Sequence, residues 1–137
     1  VTANVVSDEH AALTTVVVAK GAPARRVMAL RKRVNVIEAP ARKGRVDLRW
    51  LLKRLGREEV TDLLVEGGGE VNASFFENNL VQRVAFFYAP KVLGGKHARP
   101  VVGGKGAANL KQAPKLTNVQ WRRLGPDLLL TARVAGD

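Results

Sequence analysis

Cysteine is absent from the 137 residues, which excludes disulfides, thiol nucleophiles and Cys-ligated zinc. Aromatic residues make up only 5% of the chain, too few for a platform on which single-stranded nucleic acid stacks. The two histidines, His10 and His97, lie far apart and each lacks a nearby Cys or second His, so no metal centre is expected. No apolar run approaches the ~18–20 residues of a membrane span. The longest aliphatic stretches, residues 16–19 and 128–130, are of strand length. The start of the chain is polar and in part acidic, without the basic-then-apolar order of a secretory signal. A cytoplasmic chain with no membrane contact is the expectation.

Positive charge, by contrast, is abundant and concentrated. Residues 20–58 hold thirteen Lys and Arg against Glu38, Asp47 and Glu58, which accounts for +10 of the net +11. Such a block suits a polyanion or a phosphorylated ligand. With Trp50 as its one aromatic residue, it reads more simply as the solvated side of two surface helices. Nucleic acid is therefore not the expected partner. Hydrophobic residues form 46% of the chain, enough to bury a core in one domain spanning residues 1–137.

Periodicity orders the elements. Residues 14–19 are β-branched and apolar, a buried strand. Residues 24–33 form a helix with Val27, Met28 and Leu30 on one side, and residues 34–37 a strand ended by Pro40. Asp47 is placed to cap a helix whose Leu48, Leu51, Leu52 and Leu55 share a face, with Gly56 closing it at C′. Residues 61–65 are expected as a strand, 70–79 as a helix burying Val71, Phe75 and Phe76, and 81–88 as a strand. Residues 93–113 are a glycine-rich loop, long enough to signal function. Residues 119–124 and 128–134 form a hairpin across Gly125, Pro126 and Asp127. Alternating strands and helices imply an α/β sheet with parallel neighbours, and the last pair an antiparallel edge.

The most informative stretch is residues 63–74, Leu-Leu-Val-Glu-Gly-Gly-Gly-Glu-Val-Asn-Ala-Ser. Strand, glycine turn and helix aim backbone N–H groups and a helix dipole at a phosphate. Asn72 stands where the dinucleotide fingerprint needs its third glycine, and the P-loop spacing is missing as well. Glu66 ends the expected strand, where α/β sheets hold ligands. Its carboxylate suits the N–H groups of a heterocycle or sugar hydroxyls, or else a helix cap or salt bridge. Ser74 offers a hydroxyl to a phosphate or back to its own helix. No G-x-S-x-G surrounds it, so a serine hydrolase is not expected. Asp8 with Glu9, and Glu58 with Glu59, are solvated charges, and no residue stands out as a catalytic acid or base.

The segment from Asp62 to Gly69, the helix with Phe75 and Phe76, and Leu80-Val81 carry a family resemblance. So do Tyr88-Ala89-Pro90-Lys91-Val92-Leu93-Gly94-Gly95 and Leu124-Gly125-Pro126-Asp127-Leu128. Together they make the chain similar to the reductase domain of bacterial riboflavin biosynthesis protein RibD and, more distantly, to dihydrofolate reductase. The resemblance implies a dihydrofolate-reductase-like three-layer α/β/α fold, its central sheet mostly parallel and its C-terminal hairpin antiparallel. It implies NADPH-dependent reduction of the ribosyl side chain of 5-amino-6-(5-phosphoribosylamino)uracil to the ribityl form. Glu66 would contact the pyrimidine; Gly68, Gly69, Glu70, Val71, Asn72, Ala73 and Ser74 would line the NADPH phosphates. Glu70 opposes a phosphate electrostatically. A cis or otherwise unusual peptide is implied on either side of Gly68, and a homodimer is implied as the assembly.

The family carries further sequence ahead of the position of Val1, with first strands and part of the pocket, so the chain reads as the C-terminal majority of such a domain. It departs from many relatives at Leu80-Val81-Gln82-Arg83, where they have Leu-Val-Asp-Glu. Two alternatives stand beside the leading reading. One is a non-catalytic basic module holding nucleic acid or another polyanion. The other is a dihydrofolate-reductase-like reductase of a different pterin or pyrimidine.

Overall fold

A computed structural model describes residues 3–136. The backbone divides into two units, Val1–Leu63 and Leu64–Asp137.

In the first unit, strand β1 (Thr15–Ala19) and strand β2 (Asn35–Ala39) flank helix α1 (Ala24–Arg31). The two strands run parallel, in register from Thr15 opposite Asn35 to Ala19 opposite Ala39. A parallel pair needs a crossover, and α1 supplies it. Val27 from α1, Ile37 and Ala39 from β2, and Val6 and Val34 beside them are buried. Strand β2 stops before Pro40, which has no N–H to continue a ladder. A short hairpin follows, of β3 (Ala41–Arg42) and β4 (Arg45–Val46). It turns on Lys43 and Gly44, both at positive φ, as a two-residue I′ turn requires.

Helix α2 (Leu48–Arg57) begins at Asp47, whose carboxylate accepts the Trp50 N–H at 3.0 Å. Its leucine face is half-buried. Gly56 does not end this helix as expected. The left-handed position falls on Glu59, at φ +63°. Its N–H bonds the Gly56 carbonyl at 3.3 Å, and the Val60 N–H reaches the Leu55 carbonyl at 3.1 Å. This is the Schellman closure, and only this register brings its usual apolar pair, Leu55 and Val60, into correspondence. Keeping one glycine inside the helix costs about 1 kcal/mol, which the two closing bonds offset.

The second unit contains helix α3 (Gly69–Glu77) and strands β5 (Arg83–Tyr88), β6 (Leu116–Leu124) and β7 (Asp127–Val134). The strands form an antiparallel sheet in the order β5-β7-β6. Strand β7 is central because it is the apolar one: Leu129, Leu130 and Ala132 are buried, together with Ala73 and Phe75 of α3. The β6–β7 hairpin turns on Gly125, at φ +59°, and Pro126. Proline cannot adopt positive φ, so the turn is of type II′.

The chain is thus α/β, with one parallel pair in the first unit and antiparallel pairing in the second. Residues 61–65, expected as a strand, join no ladder among the described residues. An extended run becomes a strand only where a neighbour exchanges backbone hydrogen bonds with it; here Leu63 and Leu64 stay exposed. No helix among the described residues is long and apolar enough to cross a membrane.

Candidate functional site

The glycine turn lies in the second unit, where it enters α3 with Gly68 as N-cap in an extended conformation. Helical hydrogen bonding starts with the Val71 and Asn72 N–H groups, both to the Gly68 carbonyl at 2.9 and 3.1 Å. Amides earlier than these project off the helix end. They lie where the dipole favours an anion.

The three glycines meet three different demands. Those demands do not include positive φ or a cis peptide, neither of which occurs at residues 67–69. At Gly67 an added Cβ would sit 2.6 Å from the Val71 Cβ. Val71, expected to be buried, is 47% exposed, with its side chain standing against Gly67. At Gly69 an added Cβ would lie 2.5 Å from the Pro100 carbonyl oxygen and 3.2 Å from the Gly103 nitrogen. Around Gly68 there is open space. Close backbone approach thus explains the outer two glycines, and an accessible cradle the middle one.

The neighbour of Gly69 is a strap, residues 100–105 of the long loop, laid along one side of α3. The Gly103 N–H donates to the Gly69 carbonyl at 2.9 Å. The Asn72 side-chain amide donates to the Val101 carbonyl at 2.9 Å. The Gly104 N–H donates to Glu70 Oε1 at 3.2 Å, and the Lys105 N–H to Glu77 Oε1 at 3.5 Å. Gly69, Ala73 and Glu77 follow one another at four-residue spacing along this side of the helix. Gly104 fits over them only without a side chain, since its added Cβ would lie 2.8 Å from the Ala73 Cβ.

The expected site residues therefore separate. Glu66 is exposed two positions ahead of the cap, and Gly68 and Gly69 form the helix mouth. Glu70 and Asn72 hold the strap with their side chains. Ala73 is only 2% exposed, and the Ser74 hydroxyl donates back to the Glu70 carbonyl at 2.9 Å. The strap residues escaped the sequence reading. Their signal was the Gly103-Gly104 pair in a long loop, but nothing in the sequence states which surface that loop covers.

A hollow of about 860 Å³ lies at the opposite end of α3, lined in part by Phe76, Asn79, Gln82, Lys111, Lys115 and Arg133. Its polar groups are mostly the tips of long side chains, which lose entropy on gripping a ligand. The helix mouth presents backbone amides held by the start of α3 instead.

The family model described as the RibD C-terminal domain matches residues 1–130. RibD of Actinobacillus pleuropneumoniae is 42% identical over 97 residues, covering 71% of this chain and 26% of that protein. A 2,5-diamino-6-ribosylamino-4(3H)-pyrimidinone 5′-phosphate reductase of Methanothermobacter thermautotrophicus is 39% identical over 132 residues, covering 96% of this chain and 59% of the relative. Among solved structures, Acinetobacter baumannii RibD superposes with a TM-score of 0.72 at 20% identity, over 98% of this chain and 34% of that one. At that identity the likeness concerns the fold.

The geometry of the turn makes opposite demands on adjacent glycines. Gly69→Ala, which drives a methyl group into the strap backbone, is expected to lower stability by about 1–3 kcal/mol. Gly68→Ala, facing open space, should lose only the preference of an N-cap for glycine over alanine, about 0.5–1 kcal/mol. Urea denaturation of the two variants reads the difference, and equal losses would refute the assignment of the strap contact.

Proposed function

The chain belongs to the RibD C-terminal domain family, and on that footing we propose that it is an NADPH-dependent reductase of riboflavin biosynthesis. Its substrate in this reading is 5-amino-6-(5-phosphoribosylamino)uracil, whose ribosyl side chain becomes ribityl. The observation that carries the reading is Gly68, an exposed cap with open space where a side chain would be, at the positive end of a nine-residue helix. An anionic pyrophosphate suits that position, and the residues present therefore fit a dinucleotide. The amides of Gly68 and Gly69 line the phosphates, while Val71, Asn72, Ala73 and Ser74 belong to the helix that carries them. Glu66 accepts hydrogen bonds from the pyrimidine N–H groups, a role that needs an acceptor-only carboxylate.

The cofactor, when bound, supplies a hydride for the anomeric carbon of the sugar. The protein's part is to hold that carbon and the nicotinamide in line. The chain spans 26% of the Actinobacillus relative and 59% of the Methanothermobacter one, so the complete activity is part of the proposal. A cytoplasmic location belongs to the same reading. So does a homodimer formed through strand β6, an edge of its sheet with exposed Val119 and Trp121.

A second reading has a specific observation behind it. Arg49, Lys53 and Arg57 recur at four-residue spacing on α2 and are exposed, a ridge of cations suited to successive phosphates of nucleic acid.

Titration with NADPH at low and high salt separates the two. Wild type is expected to bind saturably, and Gly68→Glu to bind at least about tenfold more weakly, since a carboxylate then occupies the cradle. Absence of NADPH binding together with salt-steep DNA binding would replace the leading reading with the second. Light scattering should return twice the mass of one chain, and a monomer at high concentration would refute the dimer.

A further inference from the structure

Resting on the dinucleotide reading above, we propose that Glu70 is a positioning residue that clamps the strap 100–105 onto α3 and thereby keeps its own charge away from the phosphate cradle. A carboxylate in the first turn of α3 is unexpected beside an anion, because at close range it repels what the dipole attracts. The structure gives it another task. Glu70 Oε1 accepts the Gly104 N–H at 3.2 Å, and it lies 3.0 Å from where a Cβ on Gly103 would stand. The carboxylate is thus turned along the flank of the helix to the strap, while the space beside Gly68 stays clear.

Three further contacts make the clamp directional. The Gly103 N–H holds the Gly69 carbonyl at 2.9 Å, Asn72 holds the Val101 carbonyl at 2.9 Å, and Glu77 receives the Lys105 N–H at 3.5 Å. All four bonds run between the helix and the backbone of the strap, so they set loop position independently of strap side chains other than glycine. Two of them fall on the first turn, at Gly69 and Glu70. Releasing the strap therefore loosens the peptide planes that aim amides at the cofactor, and with a preorganised site the loss appears in binding.

The clamp predicts opposite signs for two variants, whereas a purely electrostatic role predicts tighter binding by both. Glu70→Gln keeps an oxygen acceptor for Gly104 and removes the charge, and is expected to bind NADPH about threefold more tightly. Glu70→Ala removes the acceptor as well, and is expected to bind about tenfold more weakly, despite the lost repulsion. The effect should fall on the affinity and KM for NADPH, with the KM for the pyrimidine nearly unmoved. Tighter binding by both variants would overturn the clamp.

Amide hydrogen exchange at Gly103 and Gly104 provides a readout independent of any ligand. Exchange there should accelerate about tenfold in Glu70→Ala and stay near wild type in Glu70→Gln. Unchanged exchange in Glu70→Ala would overturn the proposal even if NADPH binds. Should wild type fail to bind NADPH while the exchange pattern holds, the dinucleotide reading fails and the role at the cradle goes with it; the clamp contacts alone survive.

Discussion

There is no room for a side chain between the start of α3 and the strap that crosses it. At Gly69 a single methyl group would meet a carbonyl oxygen at 2.5 Å, and at Gly104 it would meet Ala73 and Glu77. Backbone polar groups in such contact need partners, and the Gly103 N–H finds the Gly69 carbonyl while the Gly104 N–H finds the Glu70 side-chain carboxylate. The open helix mouth depends on this closed flank. With the strap fixed to one side of α3, approach to the amides is left to the side of Gly68. The three identical residues divide the labour, two closed and one open.

Charge is organised around the same point. The positive end of α3 and the acid at its first turn conflict only if the acid faces the mouth, and its bond to Gly104 directs it elsewhere. The basic block of the first unit is partly paired internally, with Arg31 on Glu38 at 2.6 Å and Arg54 on Glu58 at 2.9 Å. Exposed pairs of this kind contribute roughly 0–1 kcal/mol each. They temper local repulsion without accounting for the excess of cations around them.

Much of this architecture was legible in the residues. Period-two and period-3.6 patterns located β1, α1, β2, α2, α3 and the final hairpin, because those signals reflect burial of one face. Asp47 was readable as a cap since a side-chain acceptor three residues before an N–H is a local arrangement. What escaped depends on contacts distant in sequence. Residues 61–65 have the composition of a strand, yet pairing is a property of neighbours. Gly56 has the chemistry of a helix stop, yet Glu59 took the left-handed position because the apolar register favoured it. At the site, the glycine turn and Glu66 were visible, whereas the reason for each glycine was not. Glycine suits both close approach and positive φ; close approach is what occurs, at Gly67 against nearby Val71 and at Gly69 against Pro100 and Gly103, about 30 residues further along the chain. Family membership supplied the chemistry that spacing alone left open among several phosphate ligands.

The central claim is that fixed amides at Gly68 and Gly69 receive the anionic bridge of a dinucleotide. The most direct measurement is amide NMR of the isotope-labelled chain during addition of NADPH. Saturable shifts of the Gly68, Gly69 and Glu70 resonances, larger than any at Lys111, Lys115 or Arg133, are the predicted result. Shifts confined to that distal hollow or to the arginines of α2, with the glycine turn unmoved, would contradict it.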